Sequence, residues 1–209
     1  MRHVPSSDTV HAGVLPFEKA LIPTADDFDH SRWLYVPDHY SEYRYLLGTS
    51  GQRPLVCIGI NPSTAVPDRL DNTLKSAERI ALHNGYDSFV MFNVYAQRAT
   101  DPDDMERNLN PVLHEENMKA FSWLLNQFSS VPDLWAAWGA IIEKRPYLPG
   151  CVLDMAEIGQ RYGARWFTAG PRSKAGHPHH PLYLKKDAPL DPFTDLSDYL
   201  HTLEERFRR

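Results

Sequence analysis

The stretch Leu-Val-Cys-Ile-Gly-Ile-Asn-Pro-Ser-Thr-Ala, residues 55–65, decides the fold class of this chain. Residues 55–60 are apolar apart from one glycine, which is typical of a strand buried in a parallel sheet. Pro62 then ends the strand, because it fixes its own φ angle and disfavours helical backbone at Asn61. Ligands of α/β proteins bind beyond the carboxyl ends of such strands. Asn61 is therefore a candidate functional residue, and a simple strand-ending turn is the alternative.

Apolar strands and amphipathic helices alternate after this first strand. The sequence predicts further strands over 88–95, 134–138 and 165–169, and helices over about 71–85, 111–128, 150–162 and 193–207. Such alternation is typical of a parallel sheet with helices on both faces. We therefore expect an α/β fold with four parallel strands.

The chain divides into an extension and one domain. Residues 1–41 contain several prolines and no sustained hydrophobic period, which predicts an N-terminal extension that packs on the core or is partly disordered. Residues 42–209 carry the alternating elements and are expected to form a single α/β domain.

Composition narrows the functional class. The chain has 209 residues, of which 42% are hydrophobic and 23% charged, as in ordinary globular proteins. Two cysteines are too few for a disulfide framework, an iron–sulfur cluster or a cysteine-rich zinc site. The sequence has neither an apolar run that could span a membrane nor a secretory signal. We therefore expect a cytoplasmic protein with no membrane partner.

The charge distribution bears on a nucleic-acid partner. The formal net charge of −5 argues mildly against one, since phosphate binding requires cations. Residues 139–190, however, contain eight basic and four acidic side chains. That segment can form a basic face, or its charges can be scattered over a solvated surface.

Polar groups follow each of the four predicted strands. They are Asn61-Pro62-Ser63, Asn93, Trp138-Gly139 and the run His-Pro-His-His-Pro-Leu-Tyr at 177–183. Because parallel strands end at one edge of the sheet, we expect Asn61, Asn93 and His180 to share one cleft. An amide matches the donor and acceptor edge of a pyrimidine, and an imidazole can stabilise negative charge on a carbonyl oxygen.

The order and spacing of these motifs resemble the uracil-DNA glycosylase superfamily. Gly-Ile-Asn-Pro at 59–62 is similar to the first motif of the mismatch-specific uracil/thymine branch, and 92–100 resembles the strand that presents a base-recognising Asn. Trp-Ala-Ala-Trp-Gly at 135–139 and His-Pro-Leu-Tyr at 180–183 resemble its later motifs. The full set, with Asp71-x-Thr73, also resembles DUF1643, a bacterial and phage family of unknown function. The resemblance covers residues 42–190.

The resemblance implies a three-layer α/β/α sandwich around a four-stranded parallel sheet. It also implies hydrolysis of an N-glycosidic bond in DNA, with the nucleotide flipped out and no metal or cofactor, in DNA repair or phage defence. Asn61 and His180 would be catalytic. The implied substrate-binding residues are Gly59, Ile60, Pro62, Ser63, Thr64, Asn93, Tyr95, Gly139 and His177. The implied DNA contacts are Arg98, Lys144, Arg172, Lys174, Leu182 and Tyr183.

Departures from the family pattern leave alternatives open. The efficient uracil-excising branch carries an Asp where this chain has Asn61, which predicts slow, specialised or absent catalysis. The histidine run can be aligned in two ways, so His177 competes with His180. A non-catalytic module that binds a nucleotide or a modified base on the same fold is therefore the main alternative.

Three further alternatives are weaker. A metal site would need His177, His179 and His180 with Asp71, and adjacent histidines in one short loop are poor ligand geometry. A serine hydrolase would use Ser63, but the Gly-x-Ser-x-Gly elbow is missing. The aspartates at 101–104 suggest a cation site, although a solvated turn explains them more simply.

Overall fold

The computed structural model describes residues 2–5 and 13–207. Its helices are α1 Phe17–Ala20, α2 Asn72–His83, α3 Pro111–Asn126, α4 Leu148–Arg161 and α5 Leu196–Phe207. Its strands are β1 Trp33–Val36, β2 Leu46–Thr49, β3 Pro54–Gly59, β4 Ser88–Asn93, β5 Asp133–Ala136, β6 Arg165–Ala169 and β7 Leu190–Pro192. Short 3₁₀ segments lie at Pro102–Asp104, Gly139–Glu143 and Pro181–Tyr183.

The strands form one mixed sheet in the order β1-β2-β4-β3-β5-β6-β7. The four central strands, β4, β3, β5 and β6, are parallel neighbours and correspond to the four strands predicted from the sequence. The predicted helices are present as α2, α3, α4 and α5. The mixed α/β class and its parallel centre are therefore confirmed.

The expectation of a four-stranded sheet is wrong, because the sheet has seven strands. The additional strands β1, β2 and β7 are antiparallel and flank the parallel centre. Strands β1 and β2 precede the alternating strands and helices on which the expectation was based, and β7 has three residues and ends in a proline at the sheet edge. Strand β1 lies within the segment 1–41.

Helices cover both faces of the sheet. Side chains of β3 alternate, so that Leu55 and Cys57 pack on one side and Val56 and Ile58 on the other. Helix α2 covers the first side, whereas α3, α4 and α5 cover the second. None of the helices in the described residues is long and apolar enough to cross a bilayer.

The start of α2 is fixed next to the carboxyl end of β3. Asp71 is the N-cap, and its Oδ1 accepts a hydrogen bond from the Leu74 N–H at 2.9 Å. The helix therefore begins above the end of the strand from which the chain has just emerged. This geometry leaves a polar space between the strand ends and the first turn of α2.

A candidate ligand-binding cavity

The cavity that contains the main predicted site residues lies where β3 and β4 end, on the face of the sheet that α2 covers. Its volume is about 360 Å³, within the range of small-molecule sites. Its lining comprises Arg44, residues 59–61, Ser63, residues 71–74, Met91, Ala99, Thr100, Pro102, Ile141, His180 and Leu182. A larger cavity of about 610 Å³ lies between α4 and α5 and contains none of the predicted site residues.

Asn61 lines this cavity with its side-chain amide held in one orientation. Its Nδ2 donates to the carbonyl oxygen of Pro62 at 3.1 Å and to that of Ala99 at 2.7 Å. Because both amide hydrogens are used by backbone carbonyls, Oδ1 is the atom that Asn61 can offer to a ligand. Such an acceptor can orient a water molecule or accept from the N–H edge of a base.

His180 lines the same cavity, and a backbone hydrogen bond orients its ring. Its Nδ1 accepts from the Leu182 N–H at 3.3 Å, so a neutral imidazole here carries its proton on Nε2. Burial lowers the pKa of His180 below its ordinary value of 6.5, although the Asp71 charge acts in the opposite direction. Gly139, whose φ angle is 63°, lies next to His180, since a Cβ there would be 3.5 Å from His180 Cβ.

Asn93 is not part of the cavity lining but lies directly behind it. Its side chain is on the same face of β4 as Met91, and its Oδ1 is 3.2 Å from the position that a Cβ on Gly59 would occupy. Asn93 is 1% exposed, and neither Nδ2 nor Oδ1 has a hydrogen-bond partner within residues 2–5 and 13–207. An unpaired buried amide costs about 1–3 kcal/mol, so a ligand that pairs with it gains that amount.

Two buried arginines adjoin the cavity. Arg44 lines it, whereas Arg98 is fully enclosed, and both donate to the Ala65 carbonyl, at 3.2 and 3.3 Å. Arg98 also donates to the Ser63 carbonyl and, at 3.0 Å, to the Tyr35 hydroxyl. Burial and repulsion from Arg98 lower the pKa of Arg44 to about 9, which leaves it charged at pH 7. Arg98 therefore supports the loop after β3 from inside the protein.

The first turn of α2 also borders the cavity. Asp71, Asn72 and Thr73 line it, and Asp71 is the one carboxylate among the described lining residues. A helix N-terminus carries partial positive charge from its free N–H groups. The cavity thus combines a guanidinium, a helix N-terminus, an amide oxygen, an imidazole N–H and one carboxylate.

Several predicted binding residues lie away from the cavity. Tyr95 packs in the core on the α3 side, where its hydroxyl donates to Glu106. His177 is buried, with Nδ1 3.0 Å from the Tyr199 hydroxyl and Nε2 3.1 Å from Glu143 Oε1. Pro62 and Thr64 belong to the loop after β3 but do not line the cavity. Gly59, Ile60 and Ser63 do line it.

The predicted wedge residues lie at the cavity rim. Leu182 lines the cavity and is 46% exposed, and the next residue, Tyr183, is 78% exposed. Both belong to the 3₁₀ segment that His180 caps. Two large exposed apolar side chains at a cavity mouth are suited to packing against a flat or apolar partner surface.

The predicted surface cations are mostly paired. Lys144 Nζ lies 2.5 Å from Asp103 Oδ1, and an Arg172 guanidinium nitrogen lies 2.6 Å from Asp195 Oδ2. Lys174 is exposed and borders a different, shallow pocket with Arg172. These contacts reduce the basic character of the 139–190 segment.

The described residues contain no group of three His, Cys, Asp or Glu side chains that could hold a metal ion. His177 and His180, which the metal alternative placed together, have different surroundings. His177 contacts Tyr199 and Glu143, whereas His180 lines the cavity.

Sequence reasoning missed Arg44 as a site residue. It stands in the run Tyr-Arg-Tyr-Leu-Leu at 43–47, to which the predictions from the sequence assign no functional role. A single cation inside such an apolar run is a usable signal, because a charge is buried only where it has a partner or a function. Asp71 was recognised as a helix start but not as a cavity residue.

The fold and the cavity define a mixed α/β protein with a polar site at the carboxyl ends of parallel strands. A family model described as "Protein of unknown function (DUF1643)" matches residues 44–182, more than half of the chain. The chain therefore belongs to this family. No curated protein and no solved structure matches it. The matched segment begins at Arg44 and ends at Leu182, so it includes every described residue of the cavity lining.

Proposed function

We propose that the protein is a uracil-DNA glycosylase-like enzyme that hydrolyses the N-glycosidic bond of a damaged or modified pyrimidine flipped out of DNA. The observation that carries this proposal is the unpaired buried amide of Asn93 directly behind a cavity lined by Asn61 and His180. A flipped base is recognised through hydrogen bonds to its edge in an enclosed pocket. The motif order described above supports the same assignment.

Asn93 is the group that reads the base. Its free Nδ2 and Oδ1 offer one donor and one acceptor side by side, which complements the carbonyl and N–H edge of a pyrimidine. Pairing removes the cost of leaving this amide unsatisfied. Gly59 and Met91 line the cavity next to Asn93, so in this proposal they move aside to let the base edge reach the amide.

The departing base takes the electron pair of the glycosidic bond and becomes an anion. In the proposal, His180 donates a hydrogen bond through Nε2–H to the carbonyl oxygen where this charge develops. The donor is fixed before the reaction begins, because the Leu182 N–H holds Nδ1 as an acceptor. A neutral ring can stabilise the charge without giving up its proton.

Water adds to the sugar carbon that the base leaves. Asn61 orients this water through Oδ1, since its Nδ2 is committed to two backbone carbonyls. The water proton passes to the Asp71 carboxylate or to the departing base, which completes the hydrolysis. Asp71 thus supplies an acid–base group that the Asn61 motif lacks.

The contact with DNA rests on the cavity rim. Leu182 and Tyr183 are exposed next to the cavity, where they can fill the gap that a flipped nucleotide leaves in the base stack. Lys144 and Arg172 already have acidic partners, so their phosphate contacts require exchange of those partners. We therefore expect binding to DNA to be weak and strongly dependent on salt.

A non-catalytic module that binds a modified base or nucleotide is the second candidate. One observation favours it: Asp71 already has a structural role as the N-cap of α2. Its presence in the cavity is thus explained without catalysis. In this case Asn93, Asn61 and His180 would bind the base, and no bond would be broken.

The test is a base-release assay on oligonucleotides that carry uracil, thymine mismatches or hypermodified pyrimidines, with abasic sites detected by alkaline cleavage. We expect cleavage by the wild type and by His179→Ala, a matched control in the same loop, and its loss in His180→Ala. Binding of an oligonucleotide without cleavage would favour the module. Absence of both binding and cleavage would contradict the proposal.

A further inference from the structure

Arg44 is a buried charge that the proposed base chemistry does not use. It is 1% exposed and lines the cavity, and its Nε has no hydrogen-bond partner within residues 2–5 and 13–207. Its guanidinium donates to the Ala65 carbonyl at 3.2 Å, which accounts for only part of its donor capacity. An arginine in such a position is costly unless something negative binds to it.

Arg44 forms no ion pair with a carboxylate among the described residues. Arg98 lies beside it and donates to the same carbonyl, and the two guanidinium groups repel each other. Asp71 is the acidic group that acts on Arg44, yet the two form no ion pair in the described part of the chain. By contrast, the exposed Arg165 and Arg172 each contact a carboxylate, at 2.7 and 2.6 Å. Glu42 acts on Arg98 as Asp71 acts on Arg44, so the charge that lacks an ion pair beside the cavity, among the residues that the structure describes, is that of Arg44.

The lining of the cavity carries further groups that suit an anion. Asn72 and Thr73 begin the 12-residue helix α2, so their backbone N–H groups precede the first intrahelical bonds. Anions bind at helix N-termini because of these free N–H groups and the helix dipole. Ser63, which also lines the cavity, adds a hydroxyl.

We propose that Arg44, the first turn of α2 and Ser63 form an oxyanion subsite that holds a phosphate or carboxylate group of the ligand. This inference rests on the proposed function in that it concerns the same cavity and the same pyrimidine ligand. A guanidinium binds either oxyanion through paired N–H donors. The ligand is accordingly a pyrimidine with an adjoining phosphate or an acidic ring substituent, rather than an unmodified neutral base.

Matched pairs of probes test the subsite by isothermal titration calorimetry on the full chain. Thymidine 5′-monophosphate is compared with thymidine, and uracil-5-carboxylic acid with uracil. We expect the anionic member of one pair to bind at least about tenfold more tightly, as for a charge-assisted hydrogen-bonded contact. The pair that shows the difference identifies the phosphate or the carboxylate as the source of the oxyanion.

Variants assign the effect to Arg44. We expect Arg44→Met to reduce the preference to less than about twofold and Arg44→Lys to retain part of it, because the lysine keeps the charge but not the planar donors. Arg161→Met, which removes an exposed arginine at the end of α4 and outside the cavity, should leave the preference unchanged. Equal affinity for both members of each pair, or a preference that persists in Arg44→Met, would overturn the proposal.

A measurement on the wild type covers the case in which Arg44→Met does not fold. The arginine Nε–H NMR signal of Arg44 is assigned by its absence from the spectrum of Arg44→Lys. Inorganic phosphate or uracil-5-carboxylic acid should shift this signal. A signal that does not move at saturation would overturn the subsite. Base release without any anion preference would refute the subsite alone. An anion preference without base release would refute the glycosylase proposal and leave the subsite standing.

Discussion

His180 and His177 are three residues apart in one loop and have opposite surroundings. His180 lines the cavity, and within residues 2–5 and 13–207 its ring has one hydrogen bond, which Nδ1 accepts from the Leu182 N–H, so Nε2 remains to donate to a ligand. His177 is 1% exposed and contacts Tyr199 and Glu143 through its two ring nitrogens. One histidine is prepared for a ligand, whereas the other ties the loop to α5 and to the 139–143 segment.

The difference shows what decides which histidine of the motif faces the cavity. Sequence spacing leaves His177 and His180 as equal candidates, because both follow β6 in the same loop. Tertiary contacts decide between them: the Tyr199 hydroxyl on α5 pairs with Nδ1 of His177, whereas His180 lines the cavity. A polar side chain with unused hydrogen-bonding capacity at a cavity is the better functional candidate.

The largest expected effects come from replacing each of the two histidines separately by alanine. We expect His180→Ala to lower the rate of base release by about 10²–10³-fold, as for loss of a donor to a developing anion, with little change in stability. His177→Ala should keep the rate per folded molecule but lose about 1–3 kcal/mol of unfolding free energy, because it removes the buried contact between Nδ1 and the Tyr199 hydroxyl. Single-turnover kinetics and urea denaturation measure the two effects, and the reverse pattern would contradict the assignment.

Asn61→Asp tests how far the Asn61 side chain supports the fold and how far it serves the ligand. The variant keeps an acceptor oxygen but replaces the Nδ2 donor with a second oxygen that faces the Pro62 and Ala99 carbonyls. We expect a loss of about 1–3 kcal/mol in unfolding free energy and slower base release. Asn61→Ser, which removes the contacts without adding charge, is the control, and a more stable Asp variant would contradict the hydrogen-bond geometry.

The pH dependence of stability should reflect both histidines. Burial is the largest cause that lowers the pKa of each below 6.5, so the unfolded chain binds more protons than the folded chain in this range. Their contribution to stability is therefore complete above pH 6.5 and is lost as the pH falls through the folded pKa values. Urea denaturation at pH 7.5 and 5.5 should show the fall, and His177→Gln should reduce it. An unchanged pH dependence in that variant would argue against a buried neutral ring.

Leu182→Ala should give the smallest effect on the fold. Leu182 is half exposed at the rim, so the free energy of unfolding should change by less than about 0.5 kcal/mol. We expect weaker binding to double-stranded DNA and little change with a single-stranded substrate, which has no stack to fill. Fluorescence anisotropy with both substrates measures this, and equal losses on the two would contradict a wedge role.

The parallel centre of the sheet could be predicted because its strands are apolar runs that alternate with amphipathic helices, and α2 to α5 because each is long enough to show a helical hydrophobic period. The strands β1, β2 and β7 could not, since they lie outside that alternation and their pairing depends on the edges of β4 and β6. The same limit applies to predicting which residues line the cavity. Asn61 and His180 follow predicted strands, whereas Arg44 enters from just before β2, and its position depends on the unpredicted pairing of β2 with β4.

Binding of a pyrimidine against Asn61 and His180 is tested most directly by long-range ¹H–¹⁵N NMR of the histidine rings. The probe is an oligonucleotide with one 2′-fluorinated deoxyuridine, whose glycosidic bond resists hydrolysis. In the free protein, His180 should be neutral with its proton on Nε2, and the probe should shift its Nε2–H signal while His177 stays unchanged. A shift of His177 alone, or an unchanged His180 at saturating probe, would contradict this site.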